Sequence, residues 1–517
     1  MKHCAPLSRS IAISCFIGTV ALVIMDRAWL IVEHGARYTS SDEAVMWAMA
    51  NDMSHGLFKE PFFYGQDYGP ALEAVLAVPL LWAGVPVYWA MPIATSVLAL
   101  APFISFALWF AGREQWASAG LVALVPLLLP VQWGALTTMS RGFVNGIAVL
   151  ALLPLVWAMT AQRLRFPLVG CIISFAVVVN PNALLCAIPL LIAAVFRAAH
   201  PWRAAAWSFV GALPPVLVWL TALAWCSRHP EMMVHRLEAD QLVFSFDRML
   251  GAWSTWDERS QWLCPVWWSN GVFVHALIAM VALLLVRQRK PLEGLALGTV
   301  LLLLFLSFGF RKTGDGSVHL TYALSRMNLA LPLVLAWGAA WLSIPPRAKP
   351  FIAIAPLLLG AVVAAVKWQD GTDVLRREMA SSERTPVPAV LVTDLMDLNN
   401  KVLQLHEAYG IDLVVVFRDR VDHTATALVY SGESLNSTIP PTLFIGEDRR
   451  SWRRQVERMS VRSTILFLDP PAEWQMPMGT LGSRSELLDI GGVPALLVRG
   501  NTLPTSDLLA KCGWPPI

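Results

Sequence analysis

The chain has 517 residues, 56% hydrophobic and 15% charged, with a net charge of +3. A soluble globular protein carries roughly 25% charged residues, so a water-soluble fold is excluded, and nothing in the charge balance calls for a nucleic-acid partner. The 23 tryptophans fit a polytopic membrane protein embedded among lipids, where indole rings collect at the two interfaces.

Lys2 and Arg9 precede an apolar run from Ile11. No small-x-small cleavage site follows, and the run leads through Asp26-Arg27 into Ala28–Val32, which predicts an uncleaved first span. Asp26 and Arg27 read as a self-neutralising pair near its outer end. At about 20 apolar residues per crossing, spans are expected near 10–32, 86–111, 116–132, 142–161, 167–180, 182–198, 204–225, 268–286, 291–309, 321–343 and 350–367, about eleven in all. The apolar segment 70–84 is short and proline-bounded and reads as a re-entrant or interfacial helix. Asn180-Pro181-Asn182 reads as a turn between two spans.

With the N-terminus in the cytoplasm, Arg113, Arg163, Arg165, Arg197, Arg203, Arg287, Arg289, Lys290, Arg347 and Lys349 fall on inner loops. The first outer loop, 33–85, carries the acids Glu33, Asp42, Glu43, Asp52, Glu60 and Asp67 against Arg37 and Lys59. That alternation follows the positive-inside rule and puts the C-terminal segment outside, in a multi-pass protein of the cell's inner membrane. The membrane domain is taken as 1–367. Residues 368–517 change composition: strand-like runs at 389–392, 412–417, 442–445 and 464–468 alternate with helical patterns over 395–409 and 449–459. They predict an extracytoplasmic α/β domain. Asp394 and Asp397 read there as a solvated helix start.

None of the seven cysteines forms a CxxC pair, which argues against a structural zinc site. Cys226 and Cys264 end one outer loop of about forty residues and either form a bridge there or stay as two half-buried thiols.

The polar signal concentrates in the first outer loop. Ser41-Asp42-Glu43-Ala44 opens an amphipathic stretch, Val45 to Gly56, followed by Pro61-Phe62-Phe63-Tyr64-Gly65-Gln66-Asp67-Tyr68-Gly69-Pro70. The plain reading of Asp42 and Glu43 is a helix start, capped by Ser40 or Ser41, with acids complementing the helix dipole. The functional reading is a rigidly held carboxylate at the lipid–water boundary, where adjacent acids are costly unless water, a metal or a substrate satisfies them.

Asp26-Arg27, Ser41-Asp42-Glu43-Ala44, Ala48, Gly56 and Tyr64–Pro70, in that order and spacing, resemble the start of GT-C fold glycosyltransferases. They are most similar to the bacterial family 39-type group, which includes protein O-mannosyltransferases and lipid A aminoarabinose transferases. A weaker echo is Tyr322-Ala323-Leu324-Ser325-Arg326 at the start of a late span. The resemblance implies a GT-C-like membrane fold with an outer C-terminal domain. It further implies transfer of a sugar from a polyprenyl-phosphate carrier to a glycan, lipid or protein acceptor on the outer face, with inversion. In that chemistry Asp42, supported by Glu43, takes the acceptor proton. Arg141, Arg326 and Lys59 are the candidates for holding the carrier phosphate, and Tyr64, Asp67, Tyr68 and His55 for contacting sugar or acceptor. The plain alternatives are snorkelling anchors for Arg141 and Arg326, belt residues for Tyr64 and Tyr68, and a structural or solvated role for His55. Relatives leave room for a divalent metal, but Asp42 and Glu43 alone are too few ligands to specify one. The family's His-Pro-Pro-like element is replaced here by Phe62–Pro70, so protein mannosylation is not implied. The competing functional classes are a transporter or lipid flippase, whose matching broken spans in two halves are not visible, and a non-catalytic assembly subunit of envelope glycan synthesis.

Overall fold

The computed structural model describes residues 9–260, 263–264, 266–268, 270–314, 327–345, 348–380, 389–417, 424–470 and 484–511. Among the described residues five helices are long and apolar enough to cross a membrane, and several shorter apolar helices accompany them. The first, α1 (Arg9–Leu30), continues through a π-helical stretch, Ile31–Gly35. There follow α2 (Ser41–Ser54), α3 (Leu72–Trp82) and α4 (Val87–Ala111).

Proline sets many boundaries, because it lacks an N–H and fixes φ. Pro86 caps α4, Pro130 separates the helix Trp116–Leu128 from the short helix Val131–Leu136 that it caps, and Pro201 and Pro291 open the helices ending at Arg228 and Ser307. The expected span 142–161 is broken into Asn145–Val149, Leu150–Leu152 and Leu153–Trp157, joined end to end. The last membrane helix, Lys349–Ala380, runs well past the expected end at 367. Helices Gln162–Val179 and Pro201–Arg228 touch backbone to backbone. A Cβ on Gly170 would collide with the Ser208 carbonyl, and one on Gly211 with that of Pro167, the small-residue contact that membrane helices use.

Asp26 and Arg27 do not neutralise each other. Asp26 accepts from Lys367 Nζ at 2.9 Å and Trp368 Nε1 at 3.2 Å, while Arg27 donates to Thr137 Oγ1 at 2.8 Å and the Gly134 carbonyl at 3.2 Å. Adjacent residues on a helix diverge, so each finds a partner on a different neighbouring element. Cys226 and Cys264 are free thiols, and Cys264 Sγ donates to the Asn270 carbonyl at 3.0 Å.

The described residues of the C-terminal segment form a five-stranded sheet in the order β4-β3-β5-β7-β6. Strand β3 (Leu413–Val416) is parallel to β4 (Thr442–Phe444) and β5 (Thr464–Leu468). β7 (Pro494–Arg499) and β6 (Arg484–Asp489) complete it antiparallel. β3, β4 and β5 read as unbroken apolar runs because both their faces are covered; every residue in them is buried. The expected strand at 389–392 does not join this sheet. Its Val390–Leu391 (β2) pairs antiparallel with Tyr38–Thr39 (β1) of the first loop and turns at once into the helix Val392–Tyr409.

The first loop and the C-terminal segment share one core. Ala44, Val45, Trp47 and Met49 of α2 lie in the same apolar cluster as Leu428, Tyr430, Leu466 and Leu497. The expectation of an amphipathic α2 is corrected accordingly. Val45, Met46 and Trp47 are consecutive and all buried, as befits a helix apolar on several sides and enclosed by protein. It packs against α3, α4 and the C-terminal helix Thr424–Leu435.

Candidate active site

The start of α2 is fixed by a reciprocal cap. Ser40 is the N-cap; its Oγ accepts from Glu43 N at 3.4 Å and donates to Glu43 Oε2 at 3.0 Å. Glu43 is thereby turned into the protein, and its other oxygen accepts from Ser140 N at 3.3 Å. Its neighbour Asp42 points the other way, and its carboxylate is shared by two arginines: Oδ2 takes Arg141 Nη2, and Oδ1 takes Arg449 Nη1. The cluster carries net positive charge. It is neither sealed nor open: the side chains of Asp42, Arg141 and Arg449 are 21%, 12% and 17% exposed. Phe143 lies 5.4 Å from the Arg141 guanidinium and Phe63 5.4 Å from that of Arg449, so each cation rests near an aromatic ring.

Arg141 sits on an irregular segment between membrane helices, where every backbone polar group needs a partner inside the protein. Four side chains supply them. Glu43 takes Ser140 N, and Glu73, in the first turn of α3, takes Gly142 N at 2.9 and 3.0 Å. Asn180 Nδ2 donates to the Gly142 carbonyl at 3.0 Å, and Asn182 Nδ2 to that of Phe143 at 2.9 Å. Asn145 Nδ2 also donates to Glu73 Oε2 at 3.1 Å. Gly142 has φ of 77°, a conformation that a side chain would strain. The backbone on both sides of Arg141 is therefore fixed while its side chain reaches Asp42.

Arg449 arrives from the other side. The next residue, Arg450, is buried in the C-terminal domain. It donates to the Val429 carbonyl at 2.5 Å and to the Thr442 carbonyl at 3.2 Å, and its own N–H is taken by Asp448 Oδ1 at 2.9 Å. With Arg450 anchored inward, Arg449 is directed outward to the first loop. There Gly65, at φ of 74°, lies so close that a Cβ on it would stand 2.9 Å from the Arg449 carbonyl oxygen.

The remaining expected residues fall elsewhere. Lys59 Nζ is 3.0 Å from Asp52 Oδ2 and 3.7 Å from the Trp452 ring centroid, in a neighbouring cluster and not on Asp42. Tyr64 is 1% exposed and donates to Asp52 Oδ2 at 2.6 Å; a sugar-stacking face is not available on it, because the C-terminal domain covers the ring, with Trp452 edge-on at 6.2 Å. Asp67 Oδ1 accepts from Leu237 N at 2.9 Å and ties the first loop to the loop after Arg228. His55 is exposed at the end of α2, with Nδ1 2.8 Å from the Asn51 carbonyl, and Tyr68 is half-buried. Arg326 and Tyr322 lie outside the described residues. Among the described residues no three His, Cys, Asp or Glu side chains gather in a way that could hold a metal ion, and both oxygens of Asp42 already have arginine partners.

Sequence reasoning missed Arg449, Glu73, Asn180 and Asn182 as site residues. Glu73 had a signal: it is the only charged residue in the apolar stretch 70–84, and a lone charge there needs a purpose. Burial pushes the Glu43 carboxyl up to about 7, against the lowering effect of its bonds to Ser40 and Ser140. It also raises Glu60, whose Oε2 accepts from Gly65 N at 2.8 Å, to about 7.

No family model and no curated protein matches the chain significantly in sequence. Solved structures do match it in shape. ArnT from Cupriavidus metallidurans bound to undecaprenyl phosphate superposes with a TM-score of 0.58 at 14% identity, covering 92% of this chain and 97% of that one. The same protein in the apo state gives a TM-score of 0.55 at 13% identity over the same shares. At such low identity the likeness speaks for architecture: this is a membrane protein with the GT-C fold of ArnT-like transferases.

Proposed function

We propose that the chain is a membrane glycosyltransferase that moves a sugar from a polyprenyl-phosphate carrier to an acceptor on the outer face of the cell's inner membrane, with inversion. The observation that carries this reading is the Asp42–Arg141 pair at the edge of the membrane helices, in a fold shared with a protein solved with undecaprenyl phosphate. An acceptor hydroxyl oxygen attacks the anomeric carbon as the bond from that carbon to the carrier's phosphate oxygen breaks, through an oxocarbenium-like state. The hydroxyl proton goes to Asp42. The departing electron pair stays on the phosphate, whose charge the Arg141 guanidinium offsets. Glu43 acts through others: it holds Ser140 and the start of α2. No step requires a nucleotide, and none is routed through a metal.

Purified protein incubated with undecaprenyl-phosphate-linked sugars and envelope glycolipids should release undecaprenyl phosphate. Asp42→Asn should lower that release by about 10²–10⁴-fold, the usual contribution of a positioned base, while the protein stays in the membrane. Normal release by Asp42→Asn would remove Asp42 from the role. A wild-type protein inert towards every lipid-phosphate sugar would remove the reading.

A further inference from the structure

We infer that the C-terminal domain completes the donor site: Arg449 binds the carrier's phosphate together with Arg141, and the phosphate, by taking both arginines, frees Asp42 to accept the proton. This rests on the donor class proposed above and assigns a residue and an order of events to it.

Three features lead there. First, Arg449 and Arg141 reach one carboxylate from opposite sides. A phosphate monoester or diester is a larger anion with oxygens to offer to both guanidinium groups, so it competes with Asp42 for the same pair. Second, the position of Arg449 is built. Arg450 is 2% exposed and bonded to the carbonyls of Val429 and Thr442, Gly65 leaves no room for a Cβ against the Arg449 backbone, and β1 pairs with β2, joining the first loop to the C-terminal segment a second time. A surface ion pair of no consequence would not need such support. Third, a carboxylate held by two cations takes up a proton poorly. With the donor absent, Asp42 is held by the arginines; with the donor bound, it is released next to the carbon where the proton must be collected. Base activation is thereby tied to donor binding, which guards against premature chemistry.

The test is equilibrium binding of undecaprenyl phosphate, with undecaprenol as the uncharged control, to the full chain in detergent micelles. Wild type should prefer the phosphate lipid. Arg449→Ala should lose about ten- to a hundredfold in affinity, as expected for a bond to a charged group, with Arg449→Lys between them because a single ammonium replaces a planar fork. Arg454→Ala, an equal charge change on the helix just beyond, should stay within about twofold. Asp42→Asn should bind tighter than wild type, because the competing carboxylate is gone, and much of that gain should vanish in the Asp42→Asn/Arg449→Ala double variant.

The outcomes separate. A wild type with no preference for phosphate over alcohol counts against the donor class itself. A selective wild type with an unaffected Arg449→Ala overturns the assignment of Arg449. Loss in Arg449→Ala with unchanged affinity in Asp42→Asn shows that Arg449 only holds the domain in place, and overturns the competition.

Discussion

Glu43 is one residue from Asp42 and has a different task. It is buried, bonded to Ser40 and Ser140, and its carboxyl is raised from 4.5 to about 7 by burial. Between those values the folded protein keeps a proton that the unfolded chain has released. Stability from this group is therefore full below about pH 4.5, falls as pH rises towards 7, and is level beyond; at 1.36 kcal/mol for each unit the fall is about 3 kcal/mol. Glu43→Gln keeps both bonding partners and loses the titration, so its thermal midpoint should fall less than that of wild type between pH 5 and 7. Glu60 contributes a parallel slope that the substitution leaves in place. An unchanged slope in Glu43→Gln would show that the side chain is ionised as readily in the fold as out of it. At this scale the sequence was legible where a charge stood out from its surroundings. Asp42, Glu43 and Arg141 are polar residues at apolar boundaries. Arg449 is one arginine in a basic stretch of a polar segment, Arg449 to Arg458, and only the docking of two distant segments singles it out.

Among the elements, the segment that carries Arg141 depends on Asn180-Pro181-Asn182. Sequence reading took this tripeptide as a turn, and it is one, with Asn180 capping the 3-10 turn Pro181–Ala183. Its two carboxamides also hold the carbonyls of Gly142 and Phe143. Asn180→Ala and Asn182→Ala should each lower stability by about 1 kcal/mol, read as a drop in thermal midpoint in detergent. Both should also weaken binding of undecaprenyl phosphate while leaving insertion intact. Binding equal to wild type in both variants would mean that Arg141 is positioned without them. Most membrane helices were readable from hydropathy because lipid demands unbroken apolar length. The breaks at 145–157 were not, since buried partners from other helices permit them. Strand β6 escaped because Arg484, Ser485, Glu486 and Asp489 give it a polar, exposed edge, which is how sheets avoid pairing with strangers.

For the whole molecule, the shared core of α2 and the sheet puts the first loop and the C-terminal domain on one side of the membrane. From the positive-inside pattern we propose that this is the outer side. A reporter active only outside the cytoplasm should work when fused after Ile517, and one inserted beside His229 should too, because that loop bonds to Gly65 and Asp67. Activity of a cytoplasm-only reporter at either place would reverse the orientation. The sequence reading drew a boundary at residue 367, where composition changes. It could not see that α2 lies in the later segment's apolar cluster, because local composition carries no information about which distant surface covers a helix.

The pairing of Arg449 with Asp42 spans 407 positions of sequence, and this has a consequence for the ribosome. At about 5–20 residues per second, some 20–80 s separate the emergence of the two partners. During that interval α2 and β1 already exist without the C-terminal segment that packs on them, their apolar residues exposed or sheltered by a chaperone or the translocation machinery. If the function proposed above is right, transfer has to wait until Arg449 has been made and exported. A chain that stops before Arg449, however well inserted, has only one of the two arginines proposed to hold the carrier's phosphate.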